Sequence, residues 1–142
     1  MALPPPERGL VVSYACLWQS EHARGREAGI KARPCVIILA VERAGGVRVV
    51  TVVPITHAAP TNPDEAVEIA LTTKRRPGLD EARSWISVSE ANRFVWPGPD
   101  LYPIAAGRFH YGFMPPALFR QVQERMGRYV AARRLLIVPR TE

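Results

Sequence analysis

Arg33 and the pair Thr56-His57 are the residues of this 142-residue chain whose types and positions could do chemistry together. Arg33 stands just before Pro34, at the mouth of the most apolar run, Pro34-Cys35-Val36-Ile37-Ile38-Leu39-Ala40-Val41. Thr56-His57 lie just beyond a second β-rich run, Val47 to Val53, which Pro54 is expected to close. Glu42-Arg43-Ala44-Gly45-Gly46 between the runs is a turn signal, and two such runs joined by Gly-Gly predict a hairpin. Arg33 lies about twelve residues before the turn and Thr56 about ten after it, so antiparallel pairing brings both to the open end of the hairpin. A fixed cation, a hydroxyl and an imidazole would then share one end of one sheet, a set able to hold an anion and move a proton. Each also has a plainer role: a lone arginine at a strand end is often a solvated charge, and a threonine after a proline is often a turn residue.

The elements that must position these residues follow from patterning. The chain is one domain's worth, and 47% hydrophobic residues are enough for a core without disulfide help. Residues 1–8 form a Pro-rich lead-in. The stretch from Gly9 to Trp18 is rich in strand formers and predicts a first strand. Residues 19–32 are polar and charged and predict a long exposed loop. Strands are expected over Ala66–Leu71, Arg83–Val88 and Asn92–Trp96, with a basic turn at Lys74-Arg75-Arg76 between the first two. In the C-terminal third, Leu118, Phe119, Val122, Met126, Tyr129 and Val130 recur at helical spacing behind Pro115-Pro116, which predicts an amphipathic helix over about 115–133. Leu135-Leu136-Ile137-Val138 is either a last strand or a docking segment. Short strands, Gly/Pro turns and one terminal helix predict an α+β fold, mainly β, built as a small barrel or strongly bent antiparallel sheet within a single domain over 9–142.

Composition narrows the function. Nineteen Lys and Arg against thirteen Asp and Glu give a formal charge of +6, which favours an anionic partner: RNA, DNA, an acidic protein or an anionic membrane surface. The sequence has no G-x-G-x-x-G, P-loop, H-E-x-x-H or G-x-S-x-G motif, and its three histidines (His22, His57, His110) have no metal-ligand spacing. Cys16 and Cys35 form no C-x-x-C pair and sit in apolar runs, as buried free thiols of a reducing compartment do. With no signal-like start and no stretch of about 18 apolar residues, the chain is expected to be soluble and cytoplasmic.

Four segments in order, Gly9-x-Val11-Val12, Gly25-Arg26-Glu27, Lys31-Ala32-Arg33-Pro34-Cys35-Val36-Ile37 and Val52-Val53-Pro54-Ile55-Thr56, resemble the PemK/MazF family, toxins of type II toxin–antitoxin systems. The match covers residues 9–57; residues 83–96 and the terminal helix are similar to the family's later strands and last helix. The resemblance implies an SH3-like barrel and a homodimer. It also implies an endoribonuclease that cuts single-stranded mRNA without a metal or other cofactor, and a cognate antitoxin that occupies the RNA groove. It puts the active-site arginine and threonine on Arg33 and Thr56, and the loop glutamate on Glu27. The chain departs from the family in a longer first loop and in Trp96-Pro97-Gly98-Pro99-Asp100-Leu101-Tyr102. That segment is either a base-stacking platform, a peptide groove or a packed rigid loop.

Metal-free RNA cleavage uses the 2′-hydroxyl as internal nucleophile, and needs a base, an acid and a cation for the charge-rich phosphorane. Arg33 suits the last role. Thr56 can hydrogen-bond a phosphate oxygen, Glu27 can serve as base and His57 as acid. Arg26 is a second candidate cation, and His22 a weaker candidate for proton transfer. Lys31, Lys74, Arg75 and Arg76 are further candidate RNA contacts. The alternative is a non-catalytic module on the same barrel that grips RNA or a protein tail. A DNA regulator is disfavoured, because no helix-turn-helix pattern is present.

Overall fold

The two runs that flank Gly45-Gly46 pair as a hairpin, β2 (Arg33–Glu42) with β3 (Arg48–Thr56). A short 3-10 turn, Ala44–Gly46, links them, with both glycines at positive φ, 79° and 76°, a conformation that costs a side-chain-bearing residue energy. The computed structural model describes residues 5–15, 32–69, 83–97, 101–102, 104 and 110–139. Around the hairpin lie β1 (Leu10–Tyr14), β4 (Ala66–Ile69), β5 (Ser84–Ser87), β6 (Glu90–Val95), β7 (His110–Phe113) and β8 (Leu136–Pro139), with one helix, α1 (Pro116–Ala131). The sheet runs β4-β5-β3-β2-β1-β7, with β6 joined to β3 and β8 beside β6. All pairings are antiparallel except β6 with β8.

β3 is the corner of the sheet. Its residues Val49–Val52 pair with β6, whereas Ile55 and Thr56 pair with β5. The register also shifts between Ile37 and Leu39 in β2 and between Val11 and Val12 in β1; such bulges bend a strand and increase its twist. The outcome is a strongly curled, mostly antiparallel sheet with one helix. Pro54 does not end β3, as the sequence led us to expect. It falls where that edge of the strand leaves β6 and has not yet met β5, a gap in which a missing N–H is tolerated.

Both faces of the sheet are buried along β1 and along Cys35–Ile37 of β2, so these stretches read as continuous apolar runs rather than alternating ones; farther along β2, Leu39 and Val41 are exposed. On one face Val11, Val36, Val53, Ile55 and Ile86 pack with Val122, Met126 and Tyr129 of α1. On the other, Leu10, Val12, Cys35, Ile37, Val50 and Val52 surround the stacked rings of Tyr14 and Phe94, whose centroids are 4.2 Å apart. Trp96 belongs to this second core, 6.2 Å from Phe94 and buried. Its ring is therefore packing area, not a base-stacking platform; Tyr102 remains exposed, and Leu101 pairs with Tyr14.

α1 starts on Pro116, where the missing N–H costs no helical bond. Of its apolar stripe, Val122, Met126 and Tyr129 are buried, while Val130 faces outward at 57% exposure. The helix ends as Ala132 N–H bonds to Arg128 O (3.0 Å), Arg133 turns left-handed (φ 56°) and Arg134 N–H bonds back to Tyr129 O (2.7 Å), a closure that satisfies the last carbonyls. The apolar tail becomes β8, parallel to β6. β7 was not foreseen from the sequence: its four residues carry a glycine with φ 107° and show no alternation. Among the described residues no helix is long and apolar enough to cross a membrane.

Candidate active site

Arg33 is the first residue of β2 and Thr56 the last of β3. Cys35 pairs with Pro54 and Val36 with Val53, and the same register carried to the strand ends sets Arg33 opposite Thr56. On its other side, Arg33 pairs with Tyr14 of β1. The buried Cys35 thiol adds to this anchoring, with Sγ 3.4 Å from Arg33 O and 3.7 Å from Tyr14 O. Arg33 is thus held on a rigid strand between two neighbours, half-buried, as a positioned cation requires.

Arg33, Thr56 and His57 line one cleft of about 320 Å³, together with Ala32, Pro34, Ile55 and Ala58. The sequence expectation that these three residues meet holds. The Thr56 hydroxyl accepts from Ala58 N–H at 3.1 Å, a turn in which the hydroxyl caps its own loop and keeps a hydrogen to donate. His57 is exposed, but its Nδ1 lies 3.0 Å from the carbonyl oxygen of Arg83 and 3.1 Å from Ser84 Oγ. A carbonyl only accepts, so Nδ1 carries a proton and, in the neutral ring, the lone pair lies on Nε2. These contacts reach across 26 and 27 residues of sequence, and nothing local announces them. The one hint is a buried serine, Ser84, at the start of the strand Ser84-Trp85-Ile86-Ser87.

Arg83 is itself held in place. Its Nε and Nη2 donate to the two oxygens of Glu68 at 2.9 and 3.1 Å, and its guanidinium lies 5.0 Å from the Trp85 ring centroid. Hydrogen bonding and the positive charge of Arg83 hold the Glu68 carboxyl below its ordinary range, and Glu68 in turn raises Arg83. Both side chains are exposed, so solvent screens the pair and it serves to position more than to stabilise.

A second hollow of about 250 Å³ adjoins the cleft on the far side of Thr56, lined by Thr61, Glu65, Ser87, Ser89 and Glu90. Glu27, Arg26, Lys31, His22, Lys74, Arg75 and Arg76 lie outside the described residues, as does Cys16. Among the described residues no group of three His, Cys, Asp or Glu side chains is placed to hold a metal ion. Compared with known proteins, the chain matches no family model and no curated protein.

Proposed function

We propose that this protein is an endoribonuclease that cleaves single-stranded RNA by 2′-hydroxyl attack, as a toxin of the PemK/MazF type on an SH3-like barrel. The observation that carries the reading is the convergence of Arg33, Thr56 and His57 on one cleft, with the His57 ring oriented by Arg83 O and Ser84 Oγ. In this reading a phosphodiester lies against Arg33, whose fork of donors meets the non-bridging oxygens and the charge that grows on them. Thr56 donates its hydroxyl hydrogen to one of those oxygens. Glu27 takes the 2′-hydroxyl proton, the 2′-oxygen attacks phosphorus, and the bond from phosphorus to the 5′-oxygen breaks. His57, charged, gives its Nε2 proton to that leaving oxygen. The products are a 2′,3′-cyclic phosphate and a 5′-hydroxyl. Proton loss from Nε2 leaves the neutral ring protonated on Nδ1, the form that a carbonyl acceptor at Nδ1 favours, which supports His57 as the acid. A homodimer and a cognate antitoxin belong to the proposal through the resemblance, and a cytoplasmic location through the expectation read from the sequence.

The test is incubation of the purified protein with single-stranded RNA in EDTA. Cleavage is expected, and Arg33→Ala should lower it about 10²–10³-fold, the usual loss for one transition-state donor, with an unchanged circular dichroism spectrum. Arg33→Lys keeps the charge without the fork and should fall between the two. RNA left intact, with salt-sensitive binding, would instead make the protein a binding module.

A further inference from the structure

The loop that carries His57 leads to a second basic hollow. Beyond Thr61 it enters the 3-10 turn Pro63–Glu65, and Asn62 and Asp64 there form one wall of a pocket of about 150 Å³. The opposite wall is the C-terminal half of α1 and the chain just past it, with Arg125, Arg128, Tyr129 and Arg134. A cavity needs only about 10–15 Å³ of such space to hold one water, so the pocket admits a polyatomic group of several heavy atoms. Three guanidinium groups meet one carboxylate, Asp64. Among the described residues no ion pair joins any of these arginines to an acid.

Two of the three arginines are fixed in advance. Arg125 Nη1 donates to the carbonyls of Pro63 and Ala66, at 3.3 Å each, which ties the helix to the turn and leaves its other nitrogens for a ligand. Arg134 is brought back over the helix by the left-handed Arg133, so that its guanidinium lies 5.4 Å from the Tyr129 ring centroid. A helix C-terminus, equivalent to about half a negative charge, by itself favours one basic residue in the last turn, and that accounts for Arg128. It does not account for Arg125, a turn earlier in the helix and tied to the carbonyls of Pro63 and Ala66, or for Arg134, beyond the helix. Nor do half a charge and one carboxylate offset three cations.

We propose that this pocket binds a phosphate group. A carboxylate is met by a single arginine fork, whereas three forks around one small space suit a group with more oxygens and more charge. The source of the phosphate is either a free phosphate or a phosphodiester of a nucleic-acid strand. The fold favours the strand. The loop over residues 57–65 lines the Arg33 cleft, the hollow beside Thr56 and the arginine pocket in series, with arginines at each end and two carboxylates, Glu65 and Glu90, in the hollow between them, so a strand would seat its phosphates at the two ends. Use of the pocket by an RNA strand rests on the function proposed above; the pocket as a phosphate site does not.

The test uses the full chain and the double variant Arg128→Ala, Arg134→Ala. Both residues are exposed, so the fold is retained, and circular dichroism checks this. By calorimetric titration with inorganic phosphate, the wild type should bind and the double variant should bind about tenfold more weakly or worse, the low end for losing hydrogen bonds to a charged group. The double lysine variant should recover part of the loss. With labelled single-stranded RNA, the slope of log affinity against log salt should fall by about 0.7 for each phosphate that the variant no longer neutralises. No phosphate binding by the wild type, or equal binding by wild type and variant, overturns the proposal. Weaker phosphate binding with an unchanged RNA slope supports a free-phosphate site and overturns its use by a strand. Reduced affinity and slope in a protein that leaves RNA intact uphold the pocket while the cleavage reading fails.

Discussion

Ile86→Ala should be among the most damaging single substitutions outside the cleft. Ile86 is fully buried and sits at the centre of β5, paired with Ile55 of β3 on one side and Val67 of β4 on the other. It packs in the core that also holds Val122 and Met126 of α1. Truncation removes three carbons, worth about 2.4 kcal/mol at ~0.8 kcal/mol per buried methylene. The void adds a cavity term, because strand pairing on both edges prevents collapse. Met114 and Met126 in the same cluster can give a little, so the total should be about 3–4 kcal/mol, inside the usual range for such changes. Ile86→Val removes one carbon and should cost about 1 kcal/mol. Equilibrium unfolding in guanidinium chloride, read at constant m, measures both. A loss under about 1 kcal/mol for Ile86→Ala would refute the claim that β5 is locked between β3 and β4, and with it the argument that Ser84 and Arg83 are rigid supports for His57.

Two other changes separate backbone effects from charge effects. Gly45→Ala meets no atom within 4 Å but takes on φ 79°, so it should cost about 1 kcal/mol through backbone strain alone; Gly45→Asn should cost less, and equal losses for both would contradict this in the same unfolding assay. Glu68→Gln removes an exposed pair whose carboxyl is held below its ordinary 4.5 by Arg83. The contribution of that pair is complete above the ordinary glutamate range and is lost as pH falls through the lowered value. The difference in Tm between wild type and Glu68→Gln should therefore be constant near neutrality, shrink on acidification and diminish in salt; growth of the difference toward acid would contradict the pairing.

The hairpin and the helix were legible because their signals are local. Gly45-Gly46 between two β-branched runs set the turn, and the register that follows brings Arg33 to Thr56. The spacing of Val122, Met126 and Tyr129 set the helical face. Elsewhere, features depend on what the chain meets in space. Pro54 looked like a stop because proline lacks a donor, yet it stands where β3 exchanges β6 for β5, a fact of topology. Trp96 is open to a stacking reading because prolines and a glycine follow it, but it is buried beside Phe94 in the core cluster that also holds Tyr14. β8 needs a parallel partner, β6, from across the helix, and no local pattern specifies that. The support of His57 by Arg83 O and Ser84 Oγ was hidden for the same reason, since it joins a loop to a strand 26 and 27 residues away.

The most direct test of the central claim is cleavage of an end-labelled single-stranded RNA beside its all-2′-deoxy counterpart, in EDTA, with the ends of the products identified. Only the RNA should be cut, its fragments should end in 2′,3′-cyclic phosphate and 5′-hydroxyl, and His57→Ala should slow the reaction by about 10²–10⁴-fold, the span of general acid–base catalysis. Cutting of the deoxy strand, or fragments bearing a 5′-phosphate, would contradict the central claim, because neither can arise from attack by a 2′-oxygen.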